Sequence, residues 1–376
     1  MLGLVTSFAF NTLYYPSSLI IRTALFFITP AVVNIGLKLI YRIVRAVVTV
    51  FAAGISHSIQ RFYVVAIGSK DFKRAEEFKK KHQLTDAVPY GSYEEFVRDP
   101  NIDIVYVGTR NNQHKNDVIL CANAKKSILC EKPMGLSKAE VVEMFEAAKK
   151  NGVFLQEAFW SRYFQIYREI RKIIDEGKVG EVQVVDASLG HPMFDKVERL
   201  HRRELGGGMA LDLGCYLAQF ALHVFGQDAK IEKLLAVGWT DKGVDVTGSF
   251  VIKFEGHRVA SLSYSGTAEM KCAANIYGTK GRIEIPSSMH SPEDYSVMVV
   301  DGGNQSSENH HIERPKGDMN KFHFPTSNGL ANEAAGVRKH FLTGKSSKEC
   351  CPEFTENESY KVAEILDMIR KQLEVD

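Results

Sequence analysis

Three side chains in this sequence have types and spacing suited to moving a proton and a hydride. Lys132 ends the run Ser127-Ile128-Leu129-Cys130-Glu131-Lys132-Pro133. Ile128 and Leu129 read as the end of a buried strand, and Pro133 cannot donate to a sheet ladder, so the strand stops there. Glu131 and Lys132 then stand at a strand's carboxyl end, the edge of an open α/β sheet where ligands bind. Further on, Gly206-Gly207-Gly208-Met209-Ala210-Leu211-Asp212-Leu213-Gly214-Cys215-Tyr216 places Asp212 and Tyr216 four residues apart, on one face of a helix. Taking a hydroxyl proton while hydride leaves carbon needs a base that is stable as an acid, and a cation to favour the developing alkoxide. Tyr216 and Lys132 have those properties, since a nearby ammonium favours the phenolate and lowers a tyrosine pKa from its ordinary ~10. Asp212 then holds a substrate hydroxyl or orients Lys132. On residue type alone two alternatives stay open: a solvated Glu-Lys pair at a strand terminus, and a core aromatic on an apolar helix.

The elements that must position these groups are legible in order. Residues 62–67 read as a buried strand, with Asp71 capping a helix over 72–82. A strand over 103–107 leads into Gly108-Thr109-Arg110-Asn111-Asn112-Gln113-His114. Ser137-x-x-Glu140 is a capping box opening a helix that Asn151-Gly152 closes, and a strand over 153–158 ends the first domain. Trp160, Arg162 and Phe164 follow that strand, placed to line a pocket where aromatic faces suit a flat ring or the apolar face of a sugar; packing between domains is the alternative. Helical stretches over 163–176 and 209–225 flank a strand over 181–187. Strands over 234–237, 246–254, 258–264, 272–277 and 282–285 then predict a largely antiparallel sheet. The polar stretch 301–320 reads as loop, and Thr355-x-x-Glu358 caps a terminal helix.

At 376 residues the chain exceeds the roughly 250 at which one core stops growing, so two domains are expected. With 47 basic and 45 acidic residues it gives no reason to expect nucleic acid as a partner. Six cysteines without Cys-x-x-Cys spacing read as reduced and structural, which fits a cytoplasmic protein. His310-His311 lacks the companions of a metal site, and no metal is expected.

Residues 1–56 have a different character. They contain no acidic residue, four basic ones (Arg22, Lys38, Arg42, Arg45) and long apolar runs. The run 23–37 falls short of the about 18 to 20 apolar residues of a membrane helix and is broken by Pro30 and Asn34. The composition also fits a targeting or interfacial segment, so membrane association through 1–56 is the alternative to a cytoplasmic location.

Four motifs occur in a specific order: Val105-Tyr106-Val107-Gly108-Thr109 with Gln113-His114, Glu131-Lys132-Pro133, Glu157-Ala158-Phe159-Trp160-Ser161-Arg162, and the Gly206 to Tyr216 stretch. With them the chain resembles the glucose-fructose oxidoreductase / inositol dehydrogenase family, and within it the dimeric dihydrodiol dehydrogenases, which also oxidise D-xylose. The resemblance implies a Rossmann-like dinucleotide-binding domain over 57–158, then an α+β domain over 159–376. In relatives the large, mostly antiparallel sheet of that second domain makes a homodimer. It implies NADP-dependent oxidation of a trans-dihydrodiol or an aldopyranose, with Tyr216 as acid/base and Lys132 between substrate and nicotinamide. Trp160, Arg162, Phe164 and Asp212 would meet substrate; Thr109, Asn111, His114, Glu131 and Lys132 would meet cofactor, while Arg110 and Asn112 differ from the family's usual residues. An NAD enzyme places an acid at the tip of the second strand, whereas Ser69, Lys70 and Arg74 here suit a 2′-phosphate.

Three departures from the family stand out. Gln165 replaces a usual proline and Lys125 a usual glycine. No Gly-x-Gly-x-x-Gly precedes Arg61, so either another segment substitutes or the first strand and phosphate loop are absent. That gap supports a competing expectation, a non-catalytic regulatory or binding protein with impaired cofactor binding.

Overall fold

Short apolar runs alternating with capped amphipathic segments fold, in the first half of the chain, as a parallel sheet with helices on both faces. The structure, a computed structural model, describes residues 22–27, 63–316, 326–342 and 350–375. Strands β1 (Arg22–Phe27), β2 (Tyr63–Ser69), β3 (Val88–Tyr90), β4 (Ile104–Val107), β5 (Ser127–Glu131) and β6 (Leu155–Ala158) lie in the order β3-β2-β1-β4-β5-β6. All neighbours pair in parallel, with the strand order of a dinucleotide-binding sheet.

The place of β1 corrects the expectation that 1–56 stands apart. Arg22–Phe27 fills the central position between β2 and β4, so another segment does substitute for the first strand. A central parallel strand reads as a continuous apolar run, which is why composition alone grouped it with membrane-like sequence. The rest of 1–56, and any phosphate loop it forms, lies outside the described residues.

Helices α1 (Phe72–Lys81), α2 (Tyr93–Phe96), α3 (His114–Asn123) and α4 (Lys138–Asn151) cover this sheet. Asp71 caps α1 by accepting from Lys73 N at 3.0 Å. Ser137 caps α4 through Glu140 N at 3.3 Å, but the Glu140 carboxylate accepts from Leu136 N rather than from Ser137, so only half the box forms. Gly152, at φ 65°, closes α4. Lys125, after α3, has φ 61°, a left-handed conformation that favours glycine, at a cost of about 1 kcal/mol.

The second domain adds α5 (Gln165–Asp175), β7 (Val182–Gly190), α6 (Cys215–Phe225), β8 (Ile231–Asp241), β9 (Val244–Phe254), β10 (Arg258–Ser265), β11 (Ala274–Gly278), β12 (Gly281–Ile285), β13 (Asp294–Asp301), β14 (Asn304–His311), α7 (Leu330–Leu342) and α8 (Glu356–Gln372). Its eight strands run β14-β13-β12-β11-β7-β10-β9-β8, antiparallel except for the β7–β10 pair. The stretch 301–320 was expected as loop, yet Asn304–His311 pairs with β13 through a Gly302-Gly303 turn. An edge strand with both faces in water needs no apolar alternation, so nothing in its composition marks it. Thr355 and Glu358 form the full capping box of α8.

One face of the second sheet packs on α6 and α8 around a single large core. The helical stretch Arg203–Phe225 is long and apolar enough to cross a membrane, but 94% of its most apolar window is buried in that core. The other face leaves Val184, Leu235, Val237, Trp239, Val251 and Tyr277 exposed.

Candidate active site

Parallel pairing puts the carboxyl ends of β2, β4, β5 and β6 on one edge, and with them Lys70, Thr109, Lys132 and Trp160. The second domain brings Asp212 and Tyr216 to this edge. A turn of π-helix over Ala210–Gly214 precedes α6, the kind of widened turn common at functional sites. Asp245 holds its first turn by accepting from Ala210 N at 2.5 Å. The glycine run makes that approach possible: Gly208, at φ 110°, would drive a Cβ to 2.4 Å from Asp245 Oδ1.

Lys132 is the hub. Its Nζ lies 4.5 Å from the centroid of the Tyr216 ring, donates to the Asp212 carbonyl oxygen at 2.7 Å, and sits 3.6 Å from Asp212 Oδ1. Arg199 Nη2 donates to that same Oδ1 at 2.8 Å. Burial works against the Asp212 charge, but Arg199 and Lys132 overcome it and hold the carboxyl down to about 2. Burial likewise opposes the Lys132 ammonium, but the Tyr216 oxygen, once ionised, and the Asp212 carboxylate outweigh it, so its pKa is raised. Asp212 therefore orients Lys132, one of its two expected roles.

Tyr216 departs from expectation. Burial raises its pKa more than Lys132, whose Nζ lies over the ring face, lowers it. The hydroxyl instead accepts from Trp160 Nε1 at 2.8 Å, which leaves its own proton to donate. The cluster is thus a protonated phenol beside a fixed cation, an acid poised for a carbonyl and a base only when ionised.

Arg162 and Phe164 are not brought to this cluster. Every Arg162 nitrogen has a partner in the interior: Nε donates to Gln219 Oε1 at 2.6 Å, Nη1 meets His223 Nδ1 at 2.8 Å, and Nη2 pairs with the buried Glu358. Phe164 packs against Trp160 and closes over Gly329. Both hold the linker between the domains, the packing alternative.

At the cofactor edge the outcome is also divided. Lys70 is exposed, and Arg74 lies one turn on, its Nε 3.8 Å from Asp71 Oδ2. Asp71 itself is occupied as the cap of α1, so no uncommitted acid takes the ribose-binding place. Ser69 is buried with its Oγ accepting from Asp71 N at 3.2 Å. His114 joins the loops, its ring nitrogens meeting Pro133 O at 2.9 Å and Thr109 O at 3.0 Å; Asn111 is buried and donates to Gly206 O at 2.9 Å. Glu131 bonds Tyr106 and the Lys132 amide. These four build the edge rather than present side chains from it, whereas Thr109 lies buried at the end of β4.

A dinucleotide fits the groups that remain. Arg110, half-buried beside Thr109, has a buried Nε without a hydrogen-bond partner. Burial depresses its pKa, and the cations Arg202 and Arg74 add to this against Glu198. Such a cation group is suited to the ribose and phosphate end of the nucleotide. Sequence set Arg110 aside and did not find Arg199 or His290, whose ring lies 5.8 Å from that of Tyr216; the loops carrying Arg199 and His290 have no motif to mark them.

The family model for an oxidoreductase family with an NAD-binding Rossmann fold, GFO/IDH/MocA, matches residues 46–159, and that of the GFO/IDH/MocA C-terminal domain matches 167–284. The chain is 39% identical over 313 residues to the trans-1,2-dihydrobenzene-1,2-diol dehydrogenase of Xenopus tropicalis, covering 83% of this chain and 90% of the relative. It is 34% identical over 314 residues to the Homo sapiens protein of that name, covering 83% and 89%. Among solved structures, the aldose-aldose oxidoreductase from Caulobacter crescentus, complexed with glycerol, shares the fold at a TM-score of 0.75 and 21% identity, over 94% of this chain and 98% of that one. A 3-ketoreductase from Actinomadura kijaniata, in complex with NADP and TDP-benzene, does so at 0.73 and 20%, with the same coverage.

Proposed function

The chain belongs to the GFO/IDH/MocA oxidoreductase family, and we propose that it is an NADP-dependent dehydrogenase acting on a CH–OH group of a trans-dihydrodiol or of an aldopyranose such as D-xylose. The observation that carries this reading is the Lys132 ammonium 4.5 Å from the Tyr216 ring, with Asp212 and Arg199 fixing its position. The bound nicotinamide supplies the hydride acceptor. Tyr216 takes the hydroxyl proton in oxidation and returns it in reduction, while Lys132 stabilises negative charge on the substrate oxygen. Trp160 holds the Tyr216 hydroxyl and presents an aromatic wall.

Lys70, Arg74 and Arg110 support NADP over NAD, since a cluster of cations at this edge suits the charge of a 2′-phosphate. The exposed apolar stripe from Val184 to Tyr277 supports a homodimer through the open sheet face, with Trp239 at 75% exposure as its most prominent member. One observation favours a second reading, a non-catalytic binding protein: no Gly-x-Gly-x-x-Gly is present for the pyrophosphate. Following NADP reduction with D-xylose and with a trans-dihydrodiol, alongside NADPH titration by fluorescence, separates the two. Turnover supports the dehydrogenase; weak NADPH binding with no turnover of either substrate supports the second reading.

A further inference from the structure

His290 lies in the connection between β12 and β13, and that connection is pinned from several sides. Ser161 Oγ donates to the His290 carbonyl at 2.6 Å, Tyr167 OH to the Met289 carbonyl at 2.8 Å, and Met289 N to Cys272 O at 2.8 Å. The imidazole therefore has a fixed place, against Trp160 at 6.0 Å and Tyr216 at 5.8 Å between ring centroids, with His191 at 6.3 Å. The side chain is partly exposed, yet neither ring nitrogen has a hydrogen bond, and Nδ1 is buried. Burial, with His191, Lys132 and Arg314 nearby, pushes its pKa down to about 3, so at neutral pH the ring is uncharged and has both a donor and an acceptor. A fixed neutral imidazole beside the acid/base group, with its polar atoms unmatched, is a hydrogen-bonding surface that a ligand completes.

We propose that His290 is a specificity residue that binds the second hydroxyl of a vicinal diol, the one on the carbon next to the carbon oxidised at Tyr216. The inference rests on the reading of Lys132 and Tyr216 as the reaction centre. Two neighbouring hydroxyls are needed to reach both rings from one substrate. A mono-alcohol satisfies Tyr216 and leaves His290 as it is. Discrimination then comes from a site built to hydrogen-bond a group that the wrong substrate lacks.

The test compares trans-cyclohexane-1,2-diol with cyclohexanol on the NADP-loaded protein, by calorimetric binding and by turnover, for the wild type, His290→Phe and His290→Gln. Phenylalanine keeps the ring against Trp160 and Tyr216 and removes both nitrogens; glutamine restores an N–H donor. The expected result is diol binding about 10-fold weaker in His290→Phe, cyclohexanol binding unchanged, and partial recovery of the diol in His290→Gln. Equal losses for the two ligands would make His290 a packing residue and overturn the proposal, as would unchanged diol binding or a wild type that fails to prefer the diol. Diol binding that depends on His290 without turnover of either probe leaves the proposal standing and counts against the dehydrogenase reading.

Discussion

Around Lys132, Asp212 and Tyr216 the polar groups meet one another, while at the tips of β2 and β4 Lys70 is exposed and Arg110 Nε has no partner. The first region is preorganised. Its charges are paired, Lys132 of the first domain and Arg199 of the second both meeting Asp212, with Trp160 fixing the tyrosine oxygen. The second gathers cations, Lys70, Arg74 and Arg110, at an edge where Lys70 is exposed and Arg110 Nε has no hydrogen-bond partner. A centre that must stabilise a transient charge benefits from groups already in position, whereas an edge that captures a stable phosphate gains most of its interaction on binding. Substitutions in the first region should therefore act on turnover, and in the second on nucleotide affinity.

The largest effect is expected at Lys132. Lys132→Ala removes the only cation over the Tyr216 ring among the described residues and leaves Asp212 with Arg199 alone. Turnover should fall on the order of 100- to 1,000-fold. A steady-state assay showing less than a tenfold loss would place the chemistry elsewhere.

Arg162 sharpens the contrast from outside both regions. Arg162→Ala leaves Glu358 buried without its cation, which costs about 3 to 5 kcal/mol. Denaturant unfolding should show that loss. KM for substrate should stay close to normal in protein that remains folded, and a raised KM at unchanged stability would return Arg162 to the substrate site.

At the other edge, Lys70→Ala and Arg74→Ala should each weaken NADP binding by ~1.5 to 3 kcal/mol, roughly 10- to 150-fold, with little change for NAD. Equal losses for the two cofactors would break the assignment of these cations to a 2′-phosphate.

The smallest effect is graded. Tyr216 keeps its proton below a pKa raised by burial, so oxidation, which needs the ionised form, should climb about tenfold per pH unit through the alkaline range. Reduction, which needs the acid form, should stay flat over the same range. A plateau in the oxidation profile at neutral pH would mean that Lys132 lowers the tyrosine pKa after all.

Much of this architecture is legible in the sequence because it is local. Asp71, Ser137 and Thr355 cap helices through residues two or three positions on, and Pro133 stops its own strand. What escapes is set by distant partners. Arg22–Phe27 becomes the central strand only through pairing with β2 and β4. Asn304–His311 is a strand only because β13 offers it an edge. Arg162 looks like a pocket residue until Glu358, 196 positions away, is seen to claim it. The direction of the Tyr216 shift depends on where Lys132 Nζ lands on the ring and how deep the hydroxyl sits, and spacing encodes neither.

The most direct test is Tyr216→Phe, read for both regions at once in the same protein. NADP-dependent turnover should fall on the order of 100-fold or more while NADPH affinity, by fluorescence titration, stays within about twofold of wild type. Normal turnover in Tyr216→Phe would show that this tyrosine is a core aromatic and that another group carries the proton.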